Sequence, residues 1–176
     1  TGVIYPIVAH WTWGGGWLFQ DGFLDFAGSS IVHLQGALAA LIGTIILGPR
    51  IGKFKDGKAQ PIPGHSIPLA ILGVIILWVG WMGFNAGSTL GAVGLNLPMR
   101  GPRMILAAAA GVIGATISSL IMFRTLDVSQ MGNGAIAALV AITAPCAFVD
   151  PWAAVVIGLV AGLIVPPLVV LVDKIR

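Results

Sequence analysis

Two stretches of this sequence hold side chains able to do chemistry inside otherwise apolar runs. The first, residues 24–42 (LDFAGSSIVHLQGALAALI), opens beside Asp25 and carries His33 near its middle. On a helix of about 100° per residue, Ser29, Ser30, Gly36, Ala37 and Ala40 fall within about 60° of His33. Ile31, Leu38, Ile42 and Ile46 fall on the opposite side. In water such a pattern would be inside out. In a membrane the bulky face meets lipid and the small face meets other helices or a pore. An imidazole donates, accepts and titrates near neutrality, so His33 suits a relay or stepping stone for a proton-bearing ligand. The other reading is a histidine bonded to a neighbouring helix that holds a bundle together.

The second stretch contains Trp78, Trp81, Phe84, Asn85 and Ser88. Measured from Trp81, Phe84 lies at about −60°, Asn85 at about +40° and Ser88 at about −20° on a helix. Two aromatics, an amide and a hydroxyl thus share one face. Such a face can take a cation, because ring faces attract it with about 1–2 kcal/mol and a hydroxyl accepts its proton. Trp13, on another segment, is placed to close that site. The competing reading is a set of interfacial aromatics with a helix-packing serine and asparagine. Asp25 reads first as a helix N-cap, where a carboxylate meets the positive end of the dipole, and second as a charge that draws a cation. His10 and His65 stand near segment ends and read as interfacial or loop-bonding residues.

Other chemistries lack their parts. The chain has no nucleophile–base–acid arrangement, no phosphate-binding glycine loop and no cluster of metal ligands. Its six acidic residues include no glutamate, and its one cysteine, Cys146, lies in an apolar run. We therefore expect no enzyme, cofactor, metal or disulfide framework. A net charge of +3 does not point to nucleic acid, since the basic residues are not interleaved with exposed aromatics.

The elements that position these residues follow from composition. Only 9% of the chain is charged and 57% is hydrophobic, which no soluble domain of 176 residues could cover. The fold class predicted is an all-α integral membrane protein, a polytopic bundle of transmembrane helices. Residues 3–13 form the end of one helix, followed by a tryptophan cluster of the kind found at membrane interfaces. Full spans are predicted at 26–47, 67–89, 104–123, 128–148 and 152–172, with Asn96, Pro98, Arg100 and Arg103 in a turn between the second and third. Pro145 predicts a kink late in the fourth span, and Pro166 and Pro167 predict one in the fifth. Gly111-x-x-x-Ala115 and Gly158-x-x-x-Gly162 offer faces for close packing.

If loop 49–66 is cytoplasmic, Arg50, Lys53, Lys55, Lys58, Arg124, Lys174 and Arg176 share that side, against Arg100 and Arg103 on the other. That arrangement obeys the positive-inside rule. It puts Trp13, Asp25 and Ser88 at the outer end. The segment TGVIYPIVAHWTWGGG reads as the last turns of a helix whose beginning is missing, so a fragment or one part of a divided protein is expected.

AHWTWGGGWL, LDFAGSSIVH, HSIP and GWMGFNAGS, in this order and spacing, resemble the signatures of the ammonium transporter family, which includes methylammonium permeases and Rhesus proteins. The resemblance runs from Val3 to Arg176. It implies part of an eleven-helix inverted-repeat fold that conducts ammonium or ammonia across a plasma or bacterial inner membrane, with the complete protein a homotrimer. By the same resemblance, Trp13 and Ser88 would recruit ammonium at the outer mouth and Phe84 would be one of two gating rings. Asp25 would support the site, with Trp81 and Asn85 beside it, and His33 would be the first of twin pore histidines. The second gating ring is expected upstream of residue 1, and the second histidine downstream of residue 176, supplied by the same or another chain. The alternative is an ammonium-sensing receptor of the same fold, natural or engineered, joined to a signalling or reporter module.

Overall fold

A computed structural model describes residues 2–91 and 97–175, with the backbone alone for residues 97–100 and for Ile175. Asn96, predicted in a turn, and Arg176, counted with the basic side, lie outside the described residues. The regular structure of the described chain is almost wholly helical. Helix α1 is Ile4–Thr12 and α2 is the single turn Trp17–Gln20. A π-helical segment, Ser29–Leu34, runs on into α3, Gln35–Leu47. A minimal antiparallel hairpin follows, β1 Phe54–Lys55 with β2 Lys58–Ala59. Then come α4 Ile67–Gly87, α5 Leu97–Phe123, α6 Val128–Thr143 and α7 Pro151–Ile175.

Four apolar stretches are long enough to cross a bilayer: Ser29–Leu47, Ile67–Gly87, Gly101–Phe123 and Pro151–Lys174. Helices α5, α6 and α7 pack into the compact centre, α4 lies along α6 and α5, and the π-helical segment touches α1 and α6. The centre closes through small residues. A Cβ added to Gly158 would overlap the backbone of Ala107, and one on Gly162 would overlap Gly111; Gly111 in turn meets Gly134, and Gly134 meets Ala115. The two small-residue faces of the sequence are therefore where helix backbones touch, as dispersion-driven packing in lipid requires.

Three features depart from the periodic reading. The first span enters its helical repeat at Ser29 rather than 26, and its opening turns are π-helical, with His33 N donating to Gly28 O at 3.0 Å. An i→i+5 repeat advances each residue by less than the α-helical 100°, so the face assignments shift. Ile31, expected on the lipid side, is buried at 2% exposure. Helix α6 has 16 residues and stops at Thr143. Pro145 thus ends it in a turn and does not kink it, because a proline lacks the N–H and disfavours helix in the residue before it. Helix α5 starts at Leu97, seven residues before the predicted 104, so Pro98, Arg100 and Arg103 are helical rather than in a turn. Arg103 is buried, with Nη1 donating to Cys146 O at 2.9 Å. That carbonyl lies in the turn that follows α6, and the guanidinium ties α5 to this turn. Helix α7 continues through Pro166 and Pro167.

Candidate functional site

The site begins with a loop folded onto a carboxylate. Asp25 Oδ1 accepts from Gly28 N at 2.7 Å and Ser29 N at 3.0 Å, and Oδ2 accepts from Ser30 N at 2.8 Å and Ile31 N at 3.3 Å. Four orphan donors at the start of a helical segment are thus met by one buried acid. The predicted capping role is realised from three residues further back than an ordinary N-cap. To bring the chain round, Gly28 takes φ +113°, and a Cβ there would press on Val32 and on the Trp13 ring. Only glycine adopts that turn readily.

Trp13 is held to the same loop: its Nε1 donates to the Asp25 backbone oxygen at 2.7 Å while the ring stays 44% exposed. On the other side the loop is tied to the end of α6. Phe26 N donates to Ala144 O at 3.0 Å, Ser29 Oγ donates to Val140 O at 2.6 Å, and Ala144 N donates back to Ser29 Oγ at 2.7 Å. Ser29, placed on the histidine face by periodicity, is therefore a structural tie.

His33 leaves this loop one turn into the membrane segment and meets the second chemical stretch. Its ring stacks on Trp81 with centroids 4.8 Å apart and planes 24° apart, and it lies 5.6 Å from Phe84. Trp81 and Phe84 are themselves 6.1 Å apart. Trp81 is fixed from behind, because Nε1 donates to Thr143 Oγ1 at 2.8 Å and that hydroxyl donates to Leu139 O at 2.6 Å. The imidazole is held by ring contacts, which leaves its sheltered Nε2 without a partner among the described residues. A nitrogen in that state can accept a proton or donate one to a small ligand.

The face read from Trp81 splits in two. Phe84 is 39% exposed beside His33, whereas Asn85 is fully buried, with neither amide atom hydrogen-bonded among the described residues. Asn85 therefore turns into the bundle. Ser88 follows the last turn of α4, and its Oγ donates to Phe84 O at 2.7 Å. With its hydrogen engaged, the hydroxyl presents lone pairs, the correct polarity for a cationic donor. The structure thus brings together His33, Trp81 and Phe84, and separately Trp13 with Asp25. No hydrogen bond joins Trp13 to Ser88 among the described residues. Thr143, which orients Trp81, was not singled out from sequence: a threonine in an apolar helix carries no periodic signal of its distant partner.

One consequence is testable directly. Trp81→Phe preserves a ring for His33 but removes the donor to Thr143. The full-length protein is expected to lose about 1–2 kcal/mol of stability, read as a lower midpoint in thermal denaturation.

Comparison with known proteins adds the family context. A profile of the Ammonium Transporter Family matches residues 1–176. The ammonium transporter Amt2 of Archaeoglobus fulgidus is 50% identical over 173 residues, covering 92% of this chain and 37% of that protein. The ammonium transporter Amt1 of Methanocaldococcus jannaschii is 44% identical, covering 92% of this chain and 41% of that protein. Among solved structures, a protein described as a Sensor Amt Protein superposes with TM-score 0.88 at 40% identity, over 92% of this chain and 42% of that one. Mep2 of Candida albicans gives TM-score 0.83 at 35% identity, over 92% of this chain and 36% of that one. The chain spans about two fifths of the length of these relatives.

Proposed function

The chain belongs to the ammonium transporter family, and on that premise we propose that the complete protein conducts ammonium or ammonia across a cell membrane. The observation that carries this is His33, whose ring lies against Trp81 and Phe84 and whose sheltered Nε2 has no hydrogen-bond partner among the described residues. In the proposed route the cation is recruited between Trp13 and Ser88, gives its proton to His33 Nε2 beside Phe84 and moves on as neutral ammonia, and the imidazolium then returns the proton to water. Moving an intact ion through an apolar pore would forfeit its solvation, whereas the neutral molecule avoids most of that cost. Potassium has no proton to surrender, so this route rejects it. Asp25 supports the entrance through the hydrogen bonds of its loop, and Asn85 supports it from within the bundle.

The remaining transporter segments, from the same or another chain, complete the pore in a homotrimer. Loop 49–66 faces the cytoplasm, with Trp13, Asp25 and Ser88 outside, as the distribution of Lys and Arg favours. The test is ammonium flux into liposomes carrying the full-length protein. His33→Ala is expected to cut flux at least about ten-fold, in line with loss of a positioned proton-transfer group, with little change in thermal stability. Undiminished flux in that variant would remove His33 from the route.

A second reading has its own support in the likeness to the Sensor Amt Protein. A sensor needs the recruitment site but no continuous pore. Saturable ammonium binding by full-length protein that passes no flux would favour it.

A further inference from the structure

The hairpin between α3 and α4 sets like charges against each other. Phe54 pairs with Ala59 and Lys55 with Lys58, and Gln60 N donating to Lys53 O at 2.7 Å extends the ladder by one more pair. Asp56 at φ 50° and Gly57 at φ 78° form a two-residue turn with both central residues left-handed, the geometry that fits strand twist. In this register Lys53, Lys55 and Lys58 share one face, and Lys55 stands directly opposite Lys58. Lys53 is neutralised, its Nζ lying 2.6 Å from Asp173 near the end of α7. Lys55 and Lys58 are exposed, and no carboxylate meets either among the described residues. Directly opposed like charges weaken a hairpin, and an anion held between them would remove the conflict.

The surroundings say which anion. Ile51 is wholly exposed and follows Arg50, three residues beyond Gly48, where α3 ends. A bare aliphatic side chain beside a cation at the end of a span suits the boundary between headgroups and acyl chains. The Lys53–Asp173 pair holds the hairpin to the end of a second apolar helix, α7, so the free lysines stand beside the ends of two candidate spans. We propose that this hairpin is a binding site for an anionic phospholipid headgroup, its phosphate bridging Lys55 and Lys58 while Ile51 enters the bilayer edge. The proposal is independent of whether the complete protein transports or senses.

The experiment is native mass spectrometry of the full-length protein titrated with phosphatidylglycerol and, separately, with phosphatidylcholine. Lys55→Gln/Lys58→Gln is expected to weaken phosphatidylglycerol binding by about ten-fold or more and to leave phosphatidylcholine unchanged. Lys55→Arg/Lys58→Arg is expected to retain the affinity, which separates charge from folding. Equal phosphatidylglycerol affinity in the glutamine variant overturns the site, including the case in which the lysines serve an acidic protein instead. Displacement of the lipid by inorganic phosphate would assign the pair to soluble phosphates and overturn the lipid assignment.

Discussion

Replacing Asp25 with alanine is expected to collapse the entrance loop and to cost the full-length protein on the order of 3–5 kcal/mol. The carboxylate serves four backbone N–H groups from Gly28 to Ile31 in a buried setting, where each bond to a charged acceptor is stronger than a neutral one. Removing it leaves those donors at the start of a π-helical turn that has no intrahelical partner for them. The effect should spread, because the same loop places Trp13 through the Asp25 carbonyl and delivers His33 to Trp81. Thermal denaturation of the purified protein checks the stability loss, and flux or ammonium binding should fall with it. Asp25→Asn is expected to lie between, since its single amide oxygen can serve only part of the set. A midpoint for Asp25→Ala within about 1 °C of wild type would show that water replaces the carboxylate and that the loop does not depend on it.

Gly158→Ala poses the second large test, because two principles predict opposite signs. In an isolated helix alanine is favoured over glycine by about 1 kcal/mol. In this bundle the new methyl would overlap the backbone of Ala107, which cannot swing away as a side chain end would. Overpacking of that kind costs about 1–3 kcal/mol or more, so destabilisation is expected to win. Gly158→Val should be worse, separating α7 from α5 and reducing the yield of folded protein. An alanine variant as stable as wild type would mean that the α5–α7 contact relaxes at little cost.

The residue types of this chain determine its medium and much of its architecture. Apolar runs of spanning length and 9% charge leave no alternative to lipid, and the small-residue patterns at Gly111 and Gly158 mark where backbones meet. The motifs around Trp13, Asp25, His33 and Ser88 identify the family, because several uncommon residues recur at the right spacing within one chain. Those signals are local, so they survive without a structure. The rest depends on contacts between segments far apart in sequence. Ser29 reads only as part of the small face around His33 until the end of α6, more than a hundred residues on, claims its hydroxyl. Asn85 shares a helical face with Phe84 on paper, yet α4 packs so that one is buried and the other open. Arg103 looks like a loop charge until the turn after α6 supplies a carbonyl for it. Ile31 moves from the lipid side to the interior because Asp25 opens the helix with a wider turn, and a constant 100° rotation cannot anticipate that. Periodicity tells which residues share a face only while the repeat is uniform, and which faces meet is decided by tertiary packing alone.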